Sequence, residues 1–244
     1  IRKSWSRPFN SRKVNWPQFS GRITETVARE KLEKIKALGV ETILHSDDSG
    51  IAEQHAQKLA KEQGKIYISP YNDPQIIAGQ GTLAIELLDQ LPRLDVVYVS
   101  IGGGGLISGI GSVMKAFSPQ TRVVGVSAKN SAELAASIRA GKMVQVDHHE
   151  TLADGCAGGV DRDTITFGLG TEVIDDLIDC SEQQIEVGLQ QIAWSEKMLV
   201  EGSAGLAYAA WQEDSQKNKN KISAVVLCGA NFDKETLSPI VNSQ

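Results

Sequence analysis

The sequence predicts an α/β fold in which parallel strands alternate with helices. Three apolar runs, at 95–101, 121–127 and 222–228, are nearly continuous, as is typical of parallel strands covered on both faces. Segments with helical spacing separate these runs, and glycines follow the first and the last of them. Ligands bind beyond the carboxyl ends of such strands, so we expect these glycines to lie beside one pocket.

The regular pattern begins at residue 24. Helices are predicted over 24–38, 49–64, 76–90, 106–117, 132–140, 164–176, 182–198 and 203–214. Strands are predicted over 40–46, 65–69, 95–101, 121–127 and 222–229. Gly39 and Gly64 each follow a helical segment, where glycine commonly ends a helix. Residues 1–22 show neither period, so the sequence predicts an irregular segment there.

Composition excludes several classes of partner. The chain has 244 residues and a net charge of −5, which provides no overall basic surface to attract nucleic acid or anionic lipid. No apolar stretch approaches the length of a membrane span, and the first residues are too polar for a signal peptide, so a cytoplasmic location is expected. Cys156, Cys180 and Cys228 lack CxxC spacing, which argues against a zinc site or a disulfide framework.

Four consecutive glycines, Gly102 to Gly105, follow the central apolar run. A nucleoside-triphosphate loop is excluded because no Lys-Ser or Lys-Thr follows them. A dinucleotide site expects an acidic residue after the next strand, where the chain has Ser127, Ala128 and Lys129. Backbone N–H groups at a helix N-terminus suit a monophosphate, and pyridoxal phosphate fits that role best. A turn without a ligand would need only one or two glycines.

Four segments occur in a characteristic order: "PYNDPQIIAGQGTLAIELLDQLPRLDVVYVSIGGGGLISGI", "TLADGCAGG", "LVEGSAGLAYAA" and "VVLCGANFD". Together they resemble the threonine and serine dehydratases, a family of the second pyridoxal-phosphate fold type that includes serine racemase. The resemblance runs from about Thr24 to Asp233. It implies a tryptophan-synthase-β-like α/β fold with parallel sheets flanked by helices, and pyridoxal phosphate as the cofactor.

The resemblance also implies the cofactor-binding residues, which are Gly102, Gly103, Gly104, Gly105, Gly155, Glu201 and Cys228. In the family the glycine loop wraps the phosphate, and the residue that matches Cys228 faces the pyridine nitrogen. The residue that matches Glu201 and the backbone of the glycine that matches Gly155 lie near the ring. Without the resemblance, Cys228 is equally a core thiol, Glu201 a carboxylate favoured by a helix dipole, and Gly155 part of a plain turn.

The chain departs from the family where the chemistry begins. The family's lysine that bonds the cofactor stands in a Ser-Phe-Lys-x-Arg-Gly context, and a Ser-x-Gly-Asn-His loop grips the substrate carboxylate; neither motif is present. Both precede the helix that matches 24–38, so the fold is expected to be N-terminally incomplete. Lys3 and Lys13 stand in no matching context, and the catalytic lysine is therefore not identified.

The family's metal site is only partly matched. Glu133 corresponds to an acidic ligand and the Ser131 carbonyl to another ligand, but Ser127 replaces an expected carboxylate. This makes Glu133 a weak candidate, and no metal is expected. His148 and His149 are adjacent, so their side chains point apart, and a solvated loop is expected there.

These observations combine into one expectation. Residues 1–22 form an irregular, non-matching segment, 23–68 a remnant small domain, and 69–244 a large cofactor-binding domain. The resemblance implies β-elimination from L-threonine or L-serine, with a small amino acid as the substrate and a homo-oligomer as the assembly. Two alternatives stay open: an inactive homologue that binds a ligand or a partner, and an enzyme of the serine racemase type.

Overall fold

The computed structural model describes residues 20–23, 29–39, 41–46 and 49–242. The strands are β1 (Ser20–Ile23), β2 (Glu41–Leu44), β3 (Val96–Ser100), β4 (Arg122–Ala128), β5 (Asp176–Cys180) and β6 (Ser223–Val225). The α-helices are α1 (Arg29–Ala37), α2 (Ser49–Glu62), α3 (Pro74–Gln90), α4 (Gly105–Phe117), α5 (Glu133–Ala140), α6 (Ile165–Val173), α7 (Glu182–Gln191), α8 (Gly202–Glu213) and α9 (Lys234–Asn242). A 3₁₀ turn covers Asp154–Cys156, and a π-helical turn covers Ile192–Glu196.

The main sheet has four parallel strands in the order β5-β4-β3-β6. Alternate residues of β3 enter two separate apolar clusters, one containing Tyr98 and the other containing Val97 and Val99. The Tyr98 cluster is completed by side chains of α7, α8 and α9, and the other by side chains of α3 and α4. Every residue of β3 is buried, which explains the continuous apolar run and confirms the predicted parallel sheet.

A second, two-stranded parallel sheet joins β1 to β2. Ser20 pairs with Glu41, so residues 20–22, which were expected to be irregular, are part of a strand. Residues 1–19 and 24–28, which include the rest of that segment and the start of the first predicted helix, lie outside the described residues. Gly39 has a φ of 73° directly after α1, as expected for a glycine that ends a helix.

The predicted strand at 65–69 is wrong. The segment pairs with no strand in the described part of the chain, although its side chains alternate. Ile66 is 91% exposed and Ile68 is 58% exposed, whereas Ser69 is buried. The β-branched pattern alone does not make a strand, because a strand also needs a neighbour to receive its backbone hydrogen bonds.

Three further boundaries differ from the prediction. The strand β5 was missed because its edge position leaves it polar, with Asp176 and Asp179 among five residues. The helix predicted over 182–198 ends at Gln191 and continues as the π-helical turn. β6 is shorter than predicted, although the Val226 amide still donates to Tyr98 O at 3.0 Å. No helix within the described ranges has the length and apolar character needed to cross a bilayer.

A buried polar network joins β3 and β4 to the end of α8. The Tyr98 hydroxyl donates to Asp214 Oδ2 at 2.9 Å, and the Arg122 guanidinium pairs with the same carboxylate. Burial raises the pKa of Asp214, but hydrogen bonds from its neighbours outweigh burial and lower that pKa to about 2. The Asp214 side chain is only 2% exposed, so the ionised carboxylate is stabilised by protein partners in place of water.

Asp214→Asn is expected to lower the free energy of unfolding at pH 7 by about 2 kcal/mol, because it weakens charge-assisted hydrogen bonds to Tyr98 and Arg122. The folded pKa lies below the unfolded value near 4. The carboxylate therefore stabilises the fold above pH 4 and loses this effect as the pH falls towards 2. Urea denaturation at pH 7 and at pH 3 measures both effects.

The matched control is Glu62→Gln, which removes an exposed ion pair with Lys58. Its expected effect is below about 0.5 kcal/mol at either pH, as for surface pairs in general. A loss for Asp214→Asn that is no larger than the control, or one that does not shrink in acid, would show that the network does not stabilise the fold through its charge.

Candidate functional site

The glycine loop lies at the carboxyl end of β3, in the middle of the main sheet. β3 ends at Ser100 and α4 begins at Gly105, with Gly104 in the left-handed region at a φ of 85°. Within the described residues, none of the amide groups of Gly102 to Gly105 donates a hydrogen bond to another protein group. Donors at a helix N-terminus that have no protein partner form an anion-binding site, and the helix dipole adds to it.

Each loop glycine is also required by packing. A Cβ at Gly103 would collide with the ring of Tyr71, and one at Gly105 would lie 2.8 Å from Tyr71 Cα. A Cβ at Gly102 would lie 2.9 Å from Cys156 Cα. The hydroxyl of Thr166 donates to Gly103 O at 2.7 Å and fixes the loop from the opposite side. The sequence argument that a turn without a ligand needs only one or two glycines overlooked this close approach.

The carboxyl end of β6 faces the same region. Glu201 directly precedes α8, is 9% exposed, and accepts a hydrogen bond from the Asn231 amide at 2.8 Å. Gly229 has a φ of 93°, and a Cβ there would collide with the Glu201 carboxylate. A Cβ at Gly155 would lie 3.1 Å from Glu201 Oε1. The carboxylate is therefore enclosed by two glycine backbones.

Two cysteine thiols lie in this region. Cys156 is buried and burial raises its pKa to about 12. Cys228 is half-buried, and burial, followed by the Glu201 carboxylate, raises the pKa of its thiol as well. Ser100 donates to Ser203 O at 2.6 Å and links the ends of β3 and α8 beside them. Both thiols are therefore neutral at pH 7, and neither is an activated nucleophile.

The residues predicted from the sequence form one connected set. Gly102 packs against Cys156, which follows Gly155, and Gly155 packs against Glu201. Glu201 in turn packs against Gly229, which follows Cys228. The structure brings all seven residues to the carboxyl edge of the sheet, where their role in cofactor binding stays a prediction. Tyr71 and Thr166, which hold the loop, were missed because each is distant from it in sequence.

Glu133 lies outside this set, at the start of α5. Its Oε2 is 3.0 Å from His148 Nε2, and its Oε1 accepts from the Val160 amide at 3.0 Å. His148 Nδ1 is 2.8 Å from Ser131 Oγ. The segment is a loop, as expected, and His149 is exposed, but the half-buried ring of His148 bridges two polar side chains.

The Glu133 region does not fit a hard cation. The carboxylate of Glu133 is already engaged by His148 and by a backbone amide, and a neutral hydroxyl occupies position 127. No group of three or more metal-ligating side chains occurs within the described ranges. Hard cations require several oxygen ligands, so Glu133 remains a weak candidate.

Comparison with known proteins identifies the family. The profile of the pyridoxal-phosphate dependent enzymes matches residues 23–229, so the chain belongs to this family. It is 33% identical over 212 residues to the L-threonine ammonia-lyase of Thermotoga maritima, covering 87% of this chain and 52% of that protein. It is 35% identical over 203 residues to the catabolic L-threonine dehydratase TdcB of Escherichia coli K12, covering 82% and 61%.

Two solved structures share the fold. The processed threonine deaminase isoform 2 of Solanum lycopersicum superposes with a TM-score of 0.81 at 29% identity, covering 91% of this chain and 65% of that one. Maize serine racemase gives a TM-score of 0.80 at 28% identity, covering 90% and 68%. These matches confirm the predicted fold class and the family resemblance. The chain spans 52% and 61% of the length of the two curated relatives.

Gly103→Ala is expected to lower the free energy of unfolding by about 2 kcal/mol, because the added methyl group collides with the ring of Tyr71 and overpacks the loop. Gly168→Ala provides the matched control. Gly168 lies within α6 with open space around its Cα, so alanine there is expected to stabilise the fold by up to about 1 kcal/mol. Urea denaturation compares the two variants. Equal stability of both variants would contradict the close packing of the loop.

Proposed function

We propose that the chain binds pyridoxal phosphate through the glycine loop and serves the β-elimination of L-threonine or L-serine, which yields a 2-oxo acid and ammonia. The observation that carries the proposal is that the amides of Gly102 to Gly105, at the start of α4, donate to no protein group in the described part of the chain. Four consecutive N–H groups match the acceptor oxygens of a phosphate monoester better than they match any single protein group. The threonine dehydratases among the relatives favour this substrate class.

The remaining predicted residues then have distinct tasks. When bound, pyridoxal phosphate supplies an electron sink for the carbon that loses its proton. If Cys228 lies at the ring nitrogen, as the family resemblance implies, its neutral thiol would add no negative charge there, which would favour elimination over transamination. The Glu201 carboxylate is fixed by the Asn231 amide and would lie near the ring. Gly155 allows the backbone to approach without a side chain.

Two alternatives stay open. An inactive homologue would bind a ligand or assemble with a partner without turnover. The likeness to maize serine racemase favours racemisation of serine, which begins with loss of the same proton. Both alternatives keep the phosphate site and differ only in the chemistry that follows.

The proposal also covers the domains of the chain and its assembly. Residues 23–68 and 69–244 are proposed as the small and large domains, with β2 in the small domain and the four-stranded sheet in the large domain. β1, which pairs with β2, begins three residues before the proposed boundary at 23. The exposed apolar side chains of Ile66, Ile68 and Phe117 support association into a homo-oligomer. A cytoplasmic location stays a prediction from the sequence.

Cofactor binding is tested through the reactivity of Cys228. Among the cysteines, only Cys228 is half-buried, so iodoacetamide at pH 8 is expected to modify it before Cys156 and Cys180. Its raised pKa predicts slower alkylation than that of free glutathione. Saturating pyridoxal phosphate is expected to slow the reaction further, and pyridoxal at equal concentration to slow it less. Peptide mass mapping measures the rates, and protection of Cys180 instead would contradict the assignment.

Turnover separates the proposed enzyme from its alternatives. With pyridoxal phosphate present, release of a 2-oxo acid from L-threonine is expected to exceed the rate with free cofactor, and borohydride reduction is expected to fix the cofactor on one lysine. Cys228→Ser is expected to retain activity, because a hydroxyl is also a neutral partner. Binding without 2-oxo acid would support the inactive homologue, and D-serine from L-serine would support the racemase.

A further inference from the structure

Tyr71 is packed directly beneath the glycine loop. Its side chain is 8% exposed, and the ring occupies the space that a Cβ at Gly103 would need. With the ring in this place, the loop tolerates only glycine at position 103. The hydroxyl of Tyr71 accepts a hydrogen bond from the buried amide of Asp161 at 2.9 Å. A phenylalanine would fill the same volume, so the hydroxyl contributes orientation of the ring.

The carboxylate of Asp161 is itself held in place by hydrogen bonds from two side chains. Asp161 is 8% exposed, and its Oδ2 accepts from Asn72 Nδ2 at 3.2 Å. Gln57 of α2 donates to both carboxylate oxygens, at 3.3 and 3.2 Å. The side chains that hold Asp161 thus come from α2 and from the segment that precedes α3.

These contacts form a closed path that begins and ends at the glycine loop. The carbonyl of Asn72 Oδ1 accepts from the Ile165 amide at 3.0 Å, at the start of α6. The next residue, Thr166, donates to Gly103 O at 2.7 Å. The path therefore runs from Gly103 through α6 to Asn72 and Asp161, and returns through the ring of Tyr71. Each residue in this closed path limits the movement of the others.

We propose that Tyr71 and Asp161 are positioning residues that hold the glycine loop in the conformation that presents its amides to a phosphate. The proposal rests on the proposed function, since it assigns the support of the same site. Neither residue reacts in this scheme. The Tyr71 side chain packs against Gly103 and Gly105 and so fixes their position. Asp161 hydrogen-bonds Tyr71 and connects α2 to the site through Gln57. A loop without this support would retain its glycines but lose the alignment of its donors.

The experiment compares Tyr71→Phe and Asp161→Asn with the control Tyr208→Phe, which alters a half-buried tyrosine that packs against Trp211 in α8. The first readout needs no ligand: hydrogen exchange of the peptide that spans residues 101–110, where the Ser108 amide donates to Gly104 O. Tyr71→Phe is expected to speed this exchange roughly three- to tenfold, the factor for one lost hydrogen bond. Tyr208→Phe is expected to leave it unchanged.

The second readout is the ratio of the dissociation constants for pyridoxal phosphate and pyridoxal. Tyr71→Phe and Asp161→Asn are expected to weaken the phosphate form roughly three- to tenfold and to leave pyridoxal within about twofold of wild type. A purely structural defect would weaken both compounds equally. If Tyr71→Phe fails to fold, Gln57→Leu, which removes one donor to Asp161 from the half-buried surface of α2, replaces it.

The two readouts separate the two claims. Unchanged exchange at 101–110 in both variants would overturn the positioning proposal, even if the wild-type protein binds the cofactor. Equal affinity of the wild-type protein for pyridoxal phosphate and pyridoxal would overturn the phosphate role of the loop. Faster exchange with that equal affinity would leave Tyr71 and Asp161 as supports of a loop that has another task.

Discussion

The contact between the glycine loop and the side chain of Tyr71 is the constraint on which the site depends. The backbone at Gly103 approaches the aromatic ring more closely than any Cβ would allow. Within the described residues, the amides of Gly102 to Gly105 donate to no other protein group. Packing therefore requires these glycines, and the proposed anion binding would use the same backbone.

The main sheet supplies the rigidity behind this loop. β3 is buried on both faces between two apolar clusters, so its carboxyl end cannot shift without disturbing both layers of helices. The network around Asp214 fixes the sheet to the end of α8. Because α8 begins directly after Glu201, the same helix that is held by Asp214 at one end orients a site residue at the other.

The sequence predicted the parts of the fold in which local pattern and burial agree. The continuous apolar runs identified β3 and β4, and the glycines identified the site edge, because burial on both faces leaves a direct compositional signal. β5 was missed because an edge strand carries aspartates that weaken this signal. Residues 65–69 have the strand pattern but pair with no strand among the described residues, and a single sequence does not reveal whether a neighbouring strand is available.

For the candidate site, the sequence predicted residues that belong to motifs but not the contacts between residues that are distant in sequence. Gly155, Glu201 and Cys228 each belong to a short motif with a family counterpart, and the structure places them close together, but their role in cofactor binding stays a prediction. The support from Tyr71, Asp161 and Gln57 was missed because it depends on contacts across long sequence separations. The partners of His148 were missed because adjacency to His149 says nothing about Glu133 and Ser131, which are distant in sequence.

The most direct test is an NMR titration of protein labelled with ¹⁵N-glycine. The 23 glycines give few enough amide signals to assign, and Gly39, which lies outside the proposed site, serves as an internal reference. If the loop is a phosphate cradle, pyridoxal phosphate will shift the signals of Gly102 to Gly105 downfield, because amides that donate to an anion are deshielded. Pyridoxal will shift them far less. Cofactor binding that leaves these four signals unchanged would contradict the account.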